Sequence, residues 1–157
     1  MKEGLLVSYL PPPPAEGSST GQSPLAPRPV TLGEAVSRFY GNYANFKGRA
    51  SRSEYWYISL YTAIVQFPLY ILAFSTGSTD AYTGVSQPNM TFMGLVYLFT
   101  MVNFVPGLAV GVRRLHDINK SGAYLLVAFI PCIGAIMLFV AFVTLGDRND
   151  NQYGPTY

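Results

Sequence analysis

Three long runs of uncharged, mostly apolar residues constrain this chain more than any other feature of its sequence. They cover residues 55–75, 91–112 and 123–145, which are 21, 22 and 23 residues long. A bilayer core about 30 Å thick requires about 20 helical residues. All 18 charged residues lie outside these runs. Because a charge at mid-membrane costs at least a few kcal/mol, this segregation predicts three transmembrane helices rather than the buried helices of a soluble protein.

The composition excludes several classes of function. Only 11% of the residues are charged, against about 25% in an ordinary soluble domain. A net charge of +2 is too small for a protein that binds nucleic acid through its phosphates, so no nucleic-acid partner is expected. One Cys and one His exclude an internal disulfide and a zinc site built from those two residue types. No cofactor, metal or catalytic constellation is predicted, and the chain is not expected to be an enzyme.

The first ordered element is expected to begin at Thr31. Residues 11–30 are rich in Pro, Gly and Ser, so residues 1–30 are predicted to form a disordered tail ahead of a membrane domain over 31–157. Thr31 and Glu34 have the spacing of a helix N-terminal capping box. Apolar residues then recur at helical spacing over 31–45. This pattern predicts a short amphipathic helix at the membrane surface, and packing of that helix on the transmembrane bundle is also compatible with it.

The distribution of basic residues predicts an orientation. Basic residues precede the first apolar run and fill the connection between the second and third runs, whereas the connection between the first and second carries only Asp80. The positive-inside rule therefore places the N-terminus in the cytoplasm. Three crossings then place the C-terminus on the periplasmic side.

Two dense polar stretches, at 46–56 and 113–122, lie on the same predicted face of the membrane. We call their charged residues, together with one His, the inner collar, and its members are Lys47, Arg49, Arg52, Glu54, Arg113, Arg114, His116, Asp117 and Lys120. Such a collar is suited to anionic lipid headgroups or to an acidic segment of a partner. A second interpretation is a structured turn in which Glu54 pairs with Arg113 or Arg114, at about 1 kcal/mol because the site is at the interface. A third is a catalytic unit of His116 and Asp117.

Polar residues and prolines also occur inside the apolar runs. Gln66 and Asn103 fall near mid-membrane, where an unpaired amide is costly, so they are expected to face the bundle and to bond to each other or to line a substrate path. Pro68, Pro106 and Pro131 lie one in each run and predict three kinks.

Three landmarks in the sequence resemble a known family. They are FKGRASRSEYW at 46–56, RRLHDINKSG at 113–122, and PCIG at 131–134 followed by Gly146, Asn151 and YGP at 153–155. Their order and spacing, across about 40–155, resemble the domain of unknown function 805 family of small bacterial inner-membrane proteins. The chain departs from that family in having Ala123-Tyr124 where aromatic pairs are frequent, and the resemblance does not cover the Pro-rich tail. It implies a location in the bacterial inner membrane and no particular activity.

Three functions are compatible with these features. The first is a non-enzymatic accessory or structural component that binds membrane lipids or a membrane-protein partner. The second is an oligomeric transporter or channel for small solutes or ions, in which Gln66 and Asn103 line a path between copies of the chain. The third is an enzyme that acts on lipid headgroups through His116 and Asp117. The sequence favours the first.

Overall fold

The computed structural model describes residues 30–155, and the chain in this range is mostly helical. The predicted tail over 1–30 lies outside the described residues except for Val30, which is buried. The elements in chain order are α1 (Leu32–Gly41), α2 (Arg52–Ser75), β1 (Ser78–Thr79), β2 (Ser86–Gln87), α3 (Met90–Asp117), a 3₁₀ helix (Gly122–Phe129) and α4 (Ile133–Val143).

The helices α2 and α3 form the centre of the structure. Both are long and apolar enough to cross a membrane, as the first two apolar runs predicted. A two-stranded antiparallel hairpin of β1 and β2 connects them, with Ser78 opposite Gln87. The side chain of Ser51 caps α2 by accepting a hydrogen bond from the amide of Glu54. Because α3 continues to Asp117, the collar residues Arg113 and Arg114 lie on a helix rather than in a loop.

The single helix predicted over residues 123–145 is wrong. The chain forms the 3₁₀ helix, breaks, and continues as α4, whose 11 residues are about 16 Å long and too short to cross a membrane. The break lies at Pro131, and Ile130 before it is extended because a proline disfavours helical geometry in the preceding residue. Cys132 follows with a positive φ of +63 and is the N-cap residue of α4. A Cβ on Gly134 would overlap the backbone of Val127, so glycine permits the close approach of the two segments.

This break reverses the direction of the chain. The 3₁₀ helix leads away from the collar and α4 returns to it, so the backbone amide of Asp147 donates to the carbonyl of Asp117 at 2.8 Å. We call residues 122–143 the returning segment. The prediction that the C-terminal tail lies on the opposite side from the collar is contradicted by this contact. Length and hydropathy predicted three crossings, whereas among the described helices only α2 and α3 are long and apolar enough to cross a membrane.

Helix α1 packs on the α2–α3 pair. The side chain of Thr31 accepts from the amide of Glu34, which confirms the predicted cap, but the helix ends at Gly41 rather than near residue 45. Its buried residues Ala35 and Phe39 contribute to the apolar core, whose members are Val30, Ala35, Phe39, Ala50, Ile58 and Val110. The structure therefore agrees with the interpretation that the amphipathic helix packs on the helical bundle.

Candidate functional site

Three members of the inner collar form a buried charge cluster. Arg49 reaches the Oδ1 atom of Asp117 with Nε at 3.0 Å and Nη2 at 2.9 Å, and Arg114 reaches Oδ2 with Nη1 at 2.6 Å. The side chain of Arg49 is 2% exposed, and those of Arg114 and Asp117 are fully buried. One carboxylate thus lies between two guanidinium groups, which leaves one positive charge to be balanced by other groups.

Backbone carbonyls at and after the end of α4 also accept hydrogen bonds from the two guanidinium groups. Arg114 donates from Nε to the carbonyl of Phe142 at 3.3 Å and from Nη2 to the carbonyl of Thr144. Arg49 donates to the carbonyls of Asn149, at 2.9 Å, and Asp147. The last carbonyls of a helix have no partner within it and carry partial negative charge. The cluster therefore ties the end of α3 and the segment before α2 to the C-terminal residues.

A second buried ion pair joins the start of α2 to α3. Glu54 accepts from Nη1 of Arg113 at 3.1 Å, and the two side chains are 3% and 6% exposed. This confirms the predicted pairing, although burial makes it a stronger constraint than an interfacial pair. Arg38 of α1 lies 3.8 Å from the same carboxylate. Among the residues described, Nε and Nη2 of Arg113 have no hydrogen-bond partner.

His116 contacts both the segment before α2 and the C-terminal residues. Its Nδ1 lies 3.1 Å from the carbonyl of Gly48, and because a carbonyl only accepts, Nδ1 carries the proton. The ring stacks on Tyr153 with centroids 3.8 Å apart and planes 3° from parallel. The amide of Asn151 donates to the carbonyl of His116 at 2.9 Å. These contacts favour a structural part for His116 over the catalytic pairing with Asp117, whose carboxylate is engaged by two arginines.

The remaining basic members of the collar are exposed. Lys47, Arg52 and Lys120 lie on the surface around the buried charge cluster. Arg52 has one long contact, from Nη1 to the carbonyl of Val143 at 3.3 Å, and the ammonium of Lys120 lies 6.0 Å from the ring centroid of Tyr124. The collar is therefore divided into buried, paired charges and an exposed basic rim, which we define as Lys47, Arg52 and Lys120.

The polar residues within the apolar helices have separate partners. Gln66 donates to the hydroxyl of Thr100 at 2.7 Å, which joins α2 to α3. Asn103 accepts from the hydroxyl of Tyr40 at 2.9 Å and donates to the carbonyl of Phe99 at 2.7 Å. In the described part of the chain no hydrogen bond joins Gln66 to Asn103, so that expectation is wrong. The amide of Gln66 is instead bonded to Thr100, one turn before Asn103 on α3, and Asn103 is bonded to Tyr40 and to its own helix.

Sequence reasoning missed the contribution of the C-terminal residues. The acceptors for Arg49 and Arg114 are backbone carbonyls, which no residue type marks in a sequence. One signal was present, because Gly146 lies against the carboxylate of Asp117 and a Cβ there would overlap it. Tyr153 was part of a recognised landmark, but its stacking on His116 could not be read from sequence separation.

Comparison with known proteins identifies the family. Residues 43–155 match the family described as protein of unknown function, DUF805. The chain belongs to this family. Two DUF805-like relatives are from Escherichia coli strain K12. The chain is 38% identical to inner membrane protein YhaI over 113 residues, which cover 72% of this chain and 86% of the relative. It is 33% identical to inner membrane protein YhaH over 114 residues, which cover 73% and 88%.

The DUF805 match includes most of the structure described above. It begins after α1 and contains the buried charge cluster, the Glu54–Arg113 pair and the returning segment. No solved structure matches the chain. Within residues 30–155, no group of three or more His, Cys, Asp or Glu side chains is placed to hold a metal ion. The names of the relatives and the apolar helices support a membrane protein.

Proposed function

We propose that this chain is a non-catalytic inner-membrane protein whose exposed basic rim binds anionic lipid headgroups. The observation that carries the proposal is the division of the collar. Arg49, Arg113 and Arg114 are paired inside the protein, whereas the charges of the rim face outward. The buried pairs hold the segments together, and the rim is the part of the collar that remains available to lipid.

The proposal includes an arrangement in the membrane. Helices α2 and α3 cross the bilayer, and the returning segment enters it from the collar side and leaves on the same side. Among the described charged residues, Asp80 lies in the connection between α2 and α3, and the others precede α2, lie in its first turn or in the last turns of α3, or follow α3. By the positive-inside rule, the collar and both described ends of the chain are cytoplasmic. This arrangement keeps the N-terminal orientation expected from the sequence and changes that of the C-terminus.

Electrostatics supports lipid as the ligand. A basic residue near an anionic leaflet contributes about 1 kcal/mol, so three rim residues contribute about 3 kcal/mol together. Aromatic side chains at the same level, such as the exposed ring of Trp56, suit the headgroup region. Long Lys and Arg side chains near helix ends reach the interface readily.

Native mass spectrometry of the purified full chain tests lipid binding. The protein is taken from mixed micelles that contain phosphatidylglycerol and phosphatidylcholine. We expect phosphatidylglycerol to be retained preferentially, and retention to fall in a variant that combines Lys47→Gln, Arg52→Gln and Lys120→Gln. The matched control combines Lys47→Arg, Arg52→Lys and Lys120→Arg, which keeps the charge and should keep the lipid. Equal retention by both variants would overturn the proposal.

Cysteine labelling tests the arrangement. In a Cys132→Ser background, single cysteines are introduced by Gln152→Cys near the C-terminus, Lys120→Cys in the collar and Thr83→Cys in the α2–α3 loop. An impermeant reagent applied to sealed inner-membrane vesicles of known orientation should label Gln152→Cys and Lys120→Cys from the same side. Thr83→Cys should be labelled from the other. Labelling of Gln152→Cys together with Thr83→Cys would restore the three-crossing arrangement.

The other two hypotheses have less support. Gln66 and Asn103 are both bonded within one chain, which favours packing over a path between copies. His116 is stacked and its neighbour Asp117 is paired, which favours structure over catalysis. A homo-oligomer with solute flux that is lost in Gln66→Leu would support the transporter hypothesis against the present one.

A further inference from the structure

Helix α1 covers only one half of the α2–α3 pair. The deepest contacts of α1 and of the turn after it are the hydrogen bonds from Tyr40 to Asn103 and from Tyr43 to the carbonyl of Val102, at 2.6 Å. Val102 lies 15 residues from the collar end of α3 at Asp117, which corresponds to about 22 Å along a helix of 28 residues. We call the part of the pair on the collar side of this level the collar half, and the remainder the distal half. Helix α1 belongs to the collar half.

The returning segment also covers only the collar half. The side chain of Leu125 lies beside Gly111, and the ring centroids of Phe139 and Trp56 are 6.1 Å apart. Helix α4 rises about 16 Å from the break to the collar, so the turn at Pro131 lies near the middle of α3 in depth. Both additional segments therefore end at about the same level.

The distal half consists of two helices and their loop. Of the residues that the structure describes, only those of α2, α3 and the connection between them lie there. Large apolar side chains point away from the pair on both helices, with Phe67 66%, Tyr97 61% and Met101 71% exposed. The small residue Ala73 and Val96 are buried, which shows how narrow the contact between the helices is.

The two halves therefore have different cross-sections. A helix about 10 Å in diameter occupies about 80 Å² of the membrane plane. The collar half contains α2, α3, α1 and both arms of the returning segment, against two helices in the distal half. The excess of three segments corresponds to about 240 Å² in one leaflet only.

We propose that the chain acts as a wedge that favours membranes curved so that the collar-side leaflet is convex. The wider collar half expands one leaflet, and a bilayer accommodates a mismatched protein at lowest cost where its own shape fits. Segments that insert into one leaflet make membrane binding sensitive to curvature. The inference rests on the membrane arrangement proposed above, but it does not require the rim to bind anionic lipid.

Membrane tubes pulled from giant vesicles test the wedge. The full chain is reconstituted in phosphatidylcholine alone, which removes the attraction between the rim and anionic lipid. Molecules with the collar outward are selected by external labelling of Gln152→Cys in a Cys132→Ser background. We expect these molecules to be enriched about twofold or more in the tube relative to the vesicle, since the outer leaflet of a tube is convex.

The opposite orientation provides an internal control. Molecules with the collar inward are selected by external labelling of Thr83→Cys in the same background, and they should be depleted from the tube. Equal densities in tube and vesicle for both labels would overturn the wedge. Enrichment of both would also overturn it, because a wedge distinguishes the two directions. If external reagent labels molecules of the same orientation at both positions, the proposed membrane arrangement is wrong, and the result does not count against the wedge itself.

Two glycines offer matched variants that alter the taper. Gly94 lies in the distal half and Gly107 in the collar half, and a Cβ at either position would meet open space. Gly94→Phe adds bulk to the narrow end and should reduce the enrichment of collar-outward molecules. Gly107→Phe adds the same bulk to the wide end and should not reduce it. A larger loss of enrichment in Gly107→Phe than in Gly94→Phe would contradict the wedge. The enrichment should be unchanged in rim variants that no longer bind phosphatidylglycerol.

Discussion

The collar half and the distal half of the α2–α3 pair are held together by different interactions. The collar half has two buried ion-pair groups centred on Asp117 and Glu54, together with the apolar core beneath α1. The distal half has the Gln66–Thr100 hydrogen bond and a narrow contact between small and medium side chains. Lipid can solvate the apolar surface of the distal half, so that half needs few neighbours. The interactions that fix how the segments pack against one another therefore lie mainly in the charged collar half.

The largest effect is expected when the buried charge cluster is broken. Asp117→Asn leaves Arg49 and Arg114 without their shared carboxylate, and removing one partner from a buried charge group costs about 3–5 kcal/mol. We expect a large fall in the melting temperature in detergent. Asp80→Asn removes an exposed carboxylate from the distal loop and should lower the melting temperature far less. Similar melting of the two variants would mean that the cluster contributes little.

The Glu54–Arg113 pair should give the next effect. Glu54→Gln leaves a buried guanidinium without a counter-charge, so a loss of about 3 kcal/mol is expected. This exceeds the 1 kcal/mol expected for an interfacial pair. The matched control is Glu34→Gln, which removes an exposed partner of Arg38 and should cost less than about 0.5 kcal/mol. A Glu54→Gln protein that melts like the Glu34→Gln protein would show that solvent reaches the pair.

The contact at Gly146 should give a smaller loss. Gly146→Ala places a methyl group against the carboxylate of Asp117, and overpacking of this kind costs about 1–3 kcal/mol. Gly94→Ala, in the distal half, has open space and a helical position, so it should stabilise by up to about 1 kcal/mol. Guanidine or thermal unfolding of both variants measures the contrast. Opposite signs are expected, and a neutral Gly146→Ala would place the C-terminal residues farther from Asp117.

The smallest effect concerns pH and the distal loop. The amides of Thr83 and Tyr82 and the hydroxyl of Thr83 donate to the Asp80 carboxylate and lower its pKa. A lowered folded-state pKa gives stability that is complete above the ordinary value of about 3.9 and is lost as the pH falls through the folded-state value. Amide shifts of Tyr82 and Thr83 should therefore move on acidification in this range. In the Asp80→Asn variant, the same amide shifts should not change with pH in this range.

The sequence was sufficient for the parts of the fold that depend on local chemistry. The cap by Thr31, the helices α2 and α3, and an ion pair of Glu54 with Arg113 or Arg114 were predicted. Each follows from a hydrogen bond between near neighbours, from hydropathy over a window, or from opposite charges at one level of the membrane.

The parts of the fold that were not predicted depend on the direction in which the chain runs, and a hydropathy pattern does not show that direction. Pro68 and Pro106 lie inside intact helices, whereas Pro131 lies at a reversal, so a proline alone does not distinguish a kink from a turn. The acceptors of Arg49 and Arg114 are backbone carbonyls about 100 and 30 residues away along the chain. Every residue carries a carbonyl, so the sequence could indicate that these arginines need partners but not where the partners lie.

The distance along the chain between Arg49 and its carbonyl partners has a consequence for the order of events during synthesis. Arg49 precedes Asp147 by 98 residues. At roughly 5–20 residues per second, a ribosome takes about 5–20 s to reach the second after the first. Both α2 and α3 are made within that interval, before the charge cluster gains its last acceptors. The final residues to emerge are therefore the ones that close the charged end of the molecule, and a chain interrupted before them remains open there.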